Sequence, residues 1–441
     1  MSELAINGGP KTLPGGLGVR WPQSDHRDEE AVLKVLRSGA WWRGGTVETQ
    51  AASETGRFER GFAAYHDAPH ALAVANGTIA LELALRAGGV QSGDEVIVPA
   101  LSFVVTASAA LTIGAFPVFA DCDPRTFQID PAAIEAAITR RTAAICIVHF
   151  GGYPADLDRI VAIAKKHKLL LVEDCAHAHA TQWRGKGAGS YGDFGTFSFQ
   201  QSKSLTSGEG GMLLARQLAG WQAAYRFHNL GRLEHSGFYD FHEISSNYRI
   251  TDFQGALLNT QFEKMKTQVP QKIKAAEKLN ASLRGIGGVE PLPDDPRITR
   301  LGYYFYLFRY KAEEFGGLPR TEFLRALNAE GVPCGHTYGK PIYKYPLFQN
   351  LKVPAKYTLS KYKKVCCPHT ERVLSEEVCN LPHTALLADS ATVEQISAAI
   401  LKIKENVREL MSASNHTARK SKPVPIKMNR GIQRTKAVVM A

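Results

Sequence analysis

The chain has 441 residues, 44% hydrophobic and 22% charged, a globular composition whose length suits two domains or one large α/β domain with a smaller partner. No run approaches about 18 apolar residues, and the opening MSELAINGGPKTLPGG has no apolar stretch of the kind a secretory signal needs, so neither membrane nor export is expected. The net charge of +11 points to nucleic acid only until its distribution is read: residues 412–441 hold seven Lys or Arg and no acid, a disordered basic tail on a mildly basic body.

From about residue 70, apolar runs alternate with helical patterns. HALAVAN (70–76) precedes a helix over Ile79–Arg86, and EVIVPA (95–100) precedes one over Thr106–Thr112. FPVFADCD (116–123) leads to a helix at Ala132–Ile138, TAAICIVHF (142–150) to one at Asp156–His167, and LLLVEDCAHAHA (169–180) closes the series. Continuous apolar strands, each followed by a helix, predict an α/β fold. Its mostly parallel sheet is covered on both faces, and ligands bind beyond the strands' carboxyl ends. Further strands are predicted at FGTFSF (194–199), GMLLAR (211–216) and YYFYLFRY (303–310). Helices are predicted at Thr251–Gln261, Lys272–Leu283, Arg320–Glu330 and Ala391–Leu410, with VEPLPDDPRIT (289–299) as a linker. This gives a large domain with the N-terminal segment over 1–264, a smaller C-terminal α/β domain over 265–411, and the tail 412–441.

Four strand ends carry chemistry. In VANGTIALELAL a strand turns through Asn76, Gly77 and Thr78 into a helix, whose free N–H groups make an anion pocket; ordinary capping by Asn76 or Thr78 explains the same residues. Asp174 ends an apolar strand, where a carboxylate needs a cationic or donor partner. Ser198 and Lys203 follow FGTFSF and lead into a loop with Gly208, Gly210 and Gly211. Phe103 follows the strand in PALSFVVTA. Taken singly, these last two features read as a surface lysine and a core phenylalanine. Cys175, His177 and His179 lack a standard zinc spacing, as does CCPHTE (366–371), so no metal is expected. Seven irregularly spaced cysteines predict free thiols and a reducing, cytoplasmic setting. GAGSYG (187–192) matches G-x-G-x-x-G but lies between a polar loop and a strand, the wrong context for a dinucleotide. A phosphate cradle, a carboxylate, a flat aromatic and an amine are together what holds pyridoxal phosphate. The lysine takes the aldehyde as a Schiff base and the carboxylate keeps the ring nitrogen protonated.

In this order, NGT, VEDCAHAHA, GDFGTFSFQQSKSLTSGEGG, NYRITDFQGALLNTQ and LPHTALL resemble the DegT/DnrJ/EryC1/StrS sugar and cyclitol aminotransferases, of the aspartate aminotransferase-like fold type I, over about residues 4–410. The resemblance implies Lys203 as the covalent cofactor lysine and Asp174 as the partner of the pyridinium nitrogen. Gly77, Thr78 and Ser198 then hold the phosphate, Phe103 stacks on the ring, and His177 lies near the ring hydroxyl. It also implies that Asn247 reaches the phosphate of the neighbouring subunit, hence a homodimer at least, with shared sites. LAINGGPK, SGAWWRGG and FQQSK look most like the glutamine:scyllo-inosose aminotransferases, with 3-amino-5-hydroxybenzoate synthases sharing parts. HAHAT departs from the family at Ala180, where glycine is common. The implied reaction moves nitrogen from glutamine or glutamate to a ketone of a cyclitol or sugar, with Lys203 as the proton shuttle. Trp41, Trp42, Arg43, His336 and Tyr338 are candidate substrate contacts. A keto-sugar nucleotide is the alternative acceptor. A family dehydratase carries histidine at the lysine position, which Lys203 argues against. A cofactor-binding regulator using the tail on DNA is the non-enzyme alternative, and it lacks a recognisable helix-turn-helix.

Overall fold

The structure, a computed structural model, describes residues 2–351 and 360–411; the basic segment 412–441 lies outside the described residues. Its central sheet has seven strands in the order His70–Val74, Gly211–Ala215, Phe194–Ser198, Leu170–Asp174, Thr142–Val148, Glu95–Pro99, Phe116–Ala120. From Phe194–Ser198 outward to Phe116–Ala120 every pairing is parallel, and only Gly211–Ala215 runs against its neighbours. Alternate side chains feed two cores. Val96, Val98 and Val172 pack with the helices Gly77–Ala87 and Val105–Thr112, whereas Ile97, Ile145 and Leu171 pack with Pro131–Ala137 and Leu157–His167. With both faces covered, these strands are apolar throughout, which is why they stand out in the sequence.

A second, antiparallel sheet of Val289–Pro291, Phe305–Tyr310 and Val378–Pro382 packs with the helices Arg320–Ala329 and Ser390–Glu405 around Phe308, Tyr310 and Leu381. The two bodies meet on one helix, Asp252–Ile286, of 35 residues. The sequence pattern gives two helices here, Thr251–Gln261 and Lys272–Leu283; Pro270 lies between them, and an interior proline removes a backbone donor and costs about 3 kcal/mol. The helix persists because Pro270 is exposed while each half is buried: Phe262 and Met265 in one core, Ala276, Leu279 and Leu283 in another. The boundary drawn at 264/265 therefore falls inside a continuous helix.

The N-terminal segment also differs from expectation. Leu4 and Leu13 pack in the core of the C-terminal body. The Glu330 carboxylate accepts from Ala5 N–H (2.8 Å), Thr12 N–H (3.0 Å) and the Thr12 hydroxyl (2.8 Å), while the Ser2 hydroxyl donates to Glu409 at 2.5 Å. The supposed linker contains the short strands Val289–Pro291 and Ile298–Arg300. Tyr303 has φ 48°, so the strand predicted from Tyr303 begins at Phe305. All seven cysteines are free, and among the described residues no helix is long and apolar enough to cross a membrane.

Candidate active site

The parallel strands end on one edge of the sheet, and the residues after them line a cavity of about 530 Å³. Asn76 caps the helix Gly77–Ala87, its side-chain oxygen accepting from Ile79 N–H at 3.0 Å. Capping and anion binding are not alternatives here, because Gly77 and Thr78 still face the cavity. A Cβ on Gly77 would lie 2.7 Å from Ser198 Cβ, so only glycine lets the helix N-terminus come this close to Ser198. The end of that strand is held by His179, whose Nε2–H donates to the Ser198 carbonyl at 2.7 Å. Burial pushes His179 down to about 3, which keeps the ring neutral.

Asp174 is buried at the floor. Its carboxylate accepts from the Thr106 hydroxyl (2.9 Å) and Ala176 N–H (3.1 Å), and Ser102 lies 3.0 Å from Thr106 in turn. Burial raises the Asp174 carboxyl above its ordinary range against these donors and the charge of Lys203. Conversely, burial pushes the Lys203 amine down to about 8, opposed by Asp174. No carboxylate forms an ion pair with Lys203 among the described residues; its Nζ lies 4.3 Å from the centre of the Tyr304 ring. His177 stacks on the same ring at 4.1 Å and 23°. Its Nδ1 accepts from Gly151 N–H (3.2 Å), which leaves the proton on Nε2, 3.4 Å from the Tyr338 hydroxyl. Burial holds this imidazole neutral as well. Phe103 is 55% exposed with its ring 6.0 Å from Tyr338, so it is not the core residue its sequence context suggests.

Lys203, Asp174, His177, Gly77, Thr78, Phe103, Ser198 and Tyr338 thus share one cavity. His336 is exposed and does not line it. Trp42 and Arg43 line a different cavity. Trp41 is exposed beside Phe253, and the exposed Asn247 bridges to Asn229. Three residues escaped the sequence reading. Tyr304 is hidden in a strand-like run, and Thr106 in a helical one. Trp21 donates to the Gln201 carbonyl at 2.9 Å, and its ring meets His383 edge-on at 4.4 Å. Only the position of Thr106, four after Ser102 beyond a strand end, was available as a signal.

On the other face of the strand bearing Asp174 lies a buried group of His149, Glu173 and Cys175 with the spacing of metal ligands. Its oxygens are already engaged. Glu173 accepts from His149 Nε2 (3.0 Å) and from the N–H groups of Gly189 (2.9 Å), Tyr191 (2.8 Å) and Gly192 (2.6 Å), while His149 Nδ1 accepts from Ala155 N–H (3.1 Å). Burial would raise Glu173, yet the His149 bond and the backbone donors bring it below its usual value. GAGSYG is thus an internal carboxylate nest, its glycines letting three N–H groups converge on Glu173.

The cradle that a Cβ at Gly77 would fill, a buried carboxylate, a nearby amine of lowered basicity and an open phenyl face fit pyridoxal phosphate. Residues 22–401 match the DegT/DnrJ/EryC1/StrS aminotransferase family. The L-glutamine:2-deoxy-scyllo-inosose aminotransferase of Streptoalloteichus tenebrarius is 38% identical over 92% of this chain and 99% of its own. The L-glutamine:scyllo-inosose aminotransferase of Streptomyces griseus is 37% identical over 93% and 99%. Among solved structures, 3-amino-5-hydroxybenzoic acid synthase superposes with a TM-score of 0.78 at 34% identity, over 89% of this chain and 98% of that one. The cavity and this full-length likeness lead to one conclusion: the chain belongs to the DegT/DnrJ/EryC1/StrS aminotransferase family and is a pyridoxal-phosphate-dependent aminotransferase.

Proposed function

We propose that the enzyme transfers the amino group of glutamine or glutamate to a ketone on a cyclitol of the scyllo-inosose type, in a homodimer whose subunits complete each other's sites. The observation that carries this reading is the composition of the Lys203 cavity. Beside one amine and the carboxylates of Asp174 and Glu209, its polar lining is mostly hydroxyls and amides, including Ser102, Thr106, Gln200, Ser202, Tyr304 and Tyr338. Such a wall suits a polyhydroxylated ring, whose hydroxyls need partners when desolvated. The glutamine and inosose named for the relatives support the same donor and acceptor.

Bound pyridoxal phosphate supplies the electron sink and carries nitrogen between the two substrates. Gly77 and Thr78 N–H groups and the Ser198 hydroxyl would hold the phosphate, Asp174 would keep a proton on the ring nitrogen, and Phe103 would cover the ring against water. His177 presents its Nε2–H as a neutral donor, and the freed Lys203 amine, resting over Tyr304, takes and returns the substrate proton.

To test the acceptor, the aminated enzyme is mixed with scyllo-inosose, keto-sugar nucleotides and simple keto acids, and return of the visible cofactor band is followed. Return with scyllo-inosose is expected; return with a keto-sugar nucleotide alone would reassign the acceptor. Gly77→Ala is expected to weaken cofactor binding roughly tenfold or more, read by titration, because the added methyl must displace the strand end at Ser198. The shared site predicts complementation. Chains carrying Lys203→Ala and chains carrying Asn247→Asp, each nearly inactive, should regain activity when subunits exchange, up to about one working site per mixed dimer. No recovery despite confirmed exchange would refute sharing through Asn247.

A further inference from the structure

A second cavity, of about 430 Å³, shares no lining residue with the Lys203 cavity. Three guanidinium groups line it beside the carboxylates of Glu48 and Glu234, and they are unequally neutralised. Arg43 is buried against Glu59 at 2.8 Å. Arg249 donates to the uncharged side-chain oxygen of Asn229 at 2.7 Å, and burial together with the charge of Arg232 makes its proton easier to lose. Arg232 is only 9% exposed, its Nε lacks a hydrogen-bond partner, and no carboxylate pairs with it among the described residues. Its guanidinium lies 4.4 Å from the Phe238 ring and 5.0 Å from the Phe241 ring. Aromatic faces do not replace the anion that a buried guanidinium requires.

The Lys203 cavity has the opposite deficit. Among the described residues Lys203 is the only lysine or arginine that lines it, and that amine would be engaged by the cofactor. The phosphate has its own ligands in Gly77, Thr78 and Ser198. An amino-acid donor also brings an α-carboxylate, and no guanidinium meets it there. The two deficits meet at Asn247. This residue pairs with Asn229, which lines the arginine cavity, as does Arg249 two residues further on. If Asn247 reaches the neighbouring subunit's site, the arginines arrive with it.

We propose that Arg232, with Arg249, binds the α-carboxylate of the amino donor held in the Lys203 cavity of the other subunit. This rests on the shared-site reading above. The test uses the holoenzyme dimer with Arg232→Gln and Arg232→Lys. Single-turnover absorbance changes with L-glutamine and L-glutamate give the half-saturating donor concentration and the limiting rate, and pyridoxal phosphate affinity is titrated separately. Arg232→Gln is expected to raise the half-saturating donor concentration roughly tenfold to a hundredfold, with the limiting rate and cofactor affinity little changed. Arg232→Lys should fall between. In mixed dimers with Lys203→Ala chains, each site that keeps Lys203 receives an intact Arg232, so wild-type half-saturation should return. Unchanged donor dependence in Arg232→Gln overturns the proposal, as does a defect that persists in the mixed dimers. Weakened cofactor binding with normal donor dependence also overturns it, by assigning the cation to the phosphate. If the wild type takes nitrogen from no amino acid, the proposed function falls together with this inference.

Discussion

Lys203→Ala is expected to leave an enzyme that still binds pyridoxal phosphate but turns over at least about a thousandfold more slowly. On the proposed reading the alanine removes the covalent tether and the proton carrier together, while Gly77, Thr78, Ser198, Phe103 and Asp174, which line the same cavity, would remain to hold the cofactor. Two measurements separate these effects: dialysis shows whether cofactor stays bound, and borohydride followed by denaturation shows whether it was covalently attached. Retention after both steps, or near-normal turnover, would move the role to another amine. The lysine also predicts a pH dependence. Burial lowers its amine to about 8, so the neutral nucleophile gains as pH rises towards that value and saturates above it. Covalent capture of added pyridoxal phosphate by the cofactor-free wild type should then quicken roughly tenfold per pH unit below about 8 and level off above.

Asp174→Asn should cut the catalytic rate by roughly 10²–10³-fold with cofactor still bound, because the ring nitrogen loses the charge that keeps it protonated. The same change should raise the melting temperature of the cofactor-free protein. A carboxyl whose folded pKa lies above its unfolded value costs stability wherever it is ionised, and burial places Asp174 in that condition near neutral pH. The Thr106 hydroxyl, which donates to the carboxylate, can turn to accept from the asparagine amide, so packing at the floor survives. A slower, more stable variant marks a charge kept for catalysis. A variant with undiminished rate would make Asp174 a structural carboxylate.

Where the sequence was legible, one physical rule applied at a time. Strands buried on both faces print continuous apolar runs, and the rule that ligands bind beyond their carboxyl ends picked out Gly77, Phe103, Asp174, Ser198 and Lys203, which line one cavity. Tyr304 was illegible because Tyr303 at φ 48° turns it out of a run whose alternation continues unbroken on paper. The join between the helices predicted at Thr251–Gln261 and Lys272–Leu283 was illegible because the burial that carries the helix through Pro270 is tertiary. GAGSYG carried a real signal, glycines that let N–H groups converge on an anion, but the anion is the protein's own Glu173. Arg43 was a candidate substrate contact, whereas its ion-pair partner Glu59, sixteen residues away, is invisible to local pattern. The division at 264/265 remains a proposal about folding units joined by one helix.

The docking of the first residues onto the far end of the chain has a consequence for synthesis. Ser2 and Glu409 are 407 positions apart, and Ala5 and Glu330 are 325 apart. Residues 2–13 are therefore without their full seat until Glu330 and then Glu409 have been made, a wait of roughly 20–80 s at ordinary elongation speeds. Trp21, which closes against the Gln201 carbonyl beside the reactive lysine, follows directly on that segment. The nascent sheet can form while these segments are still apart, but Tyr304 and Tyr338, which line the Lys203 cavity, are made long after the lysine, so the cavity closes only when the C-terminal body is present.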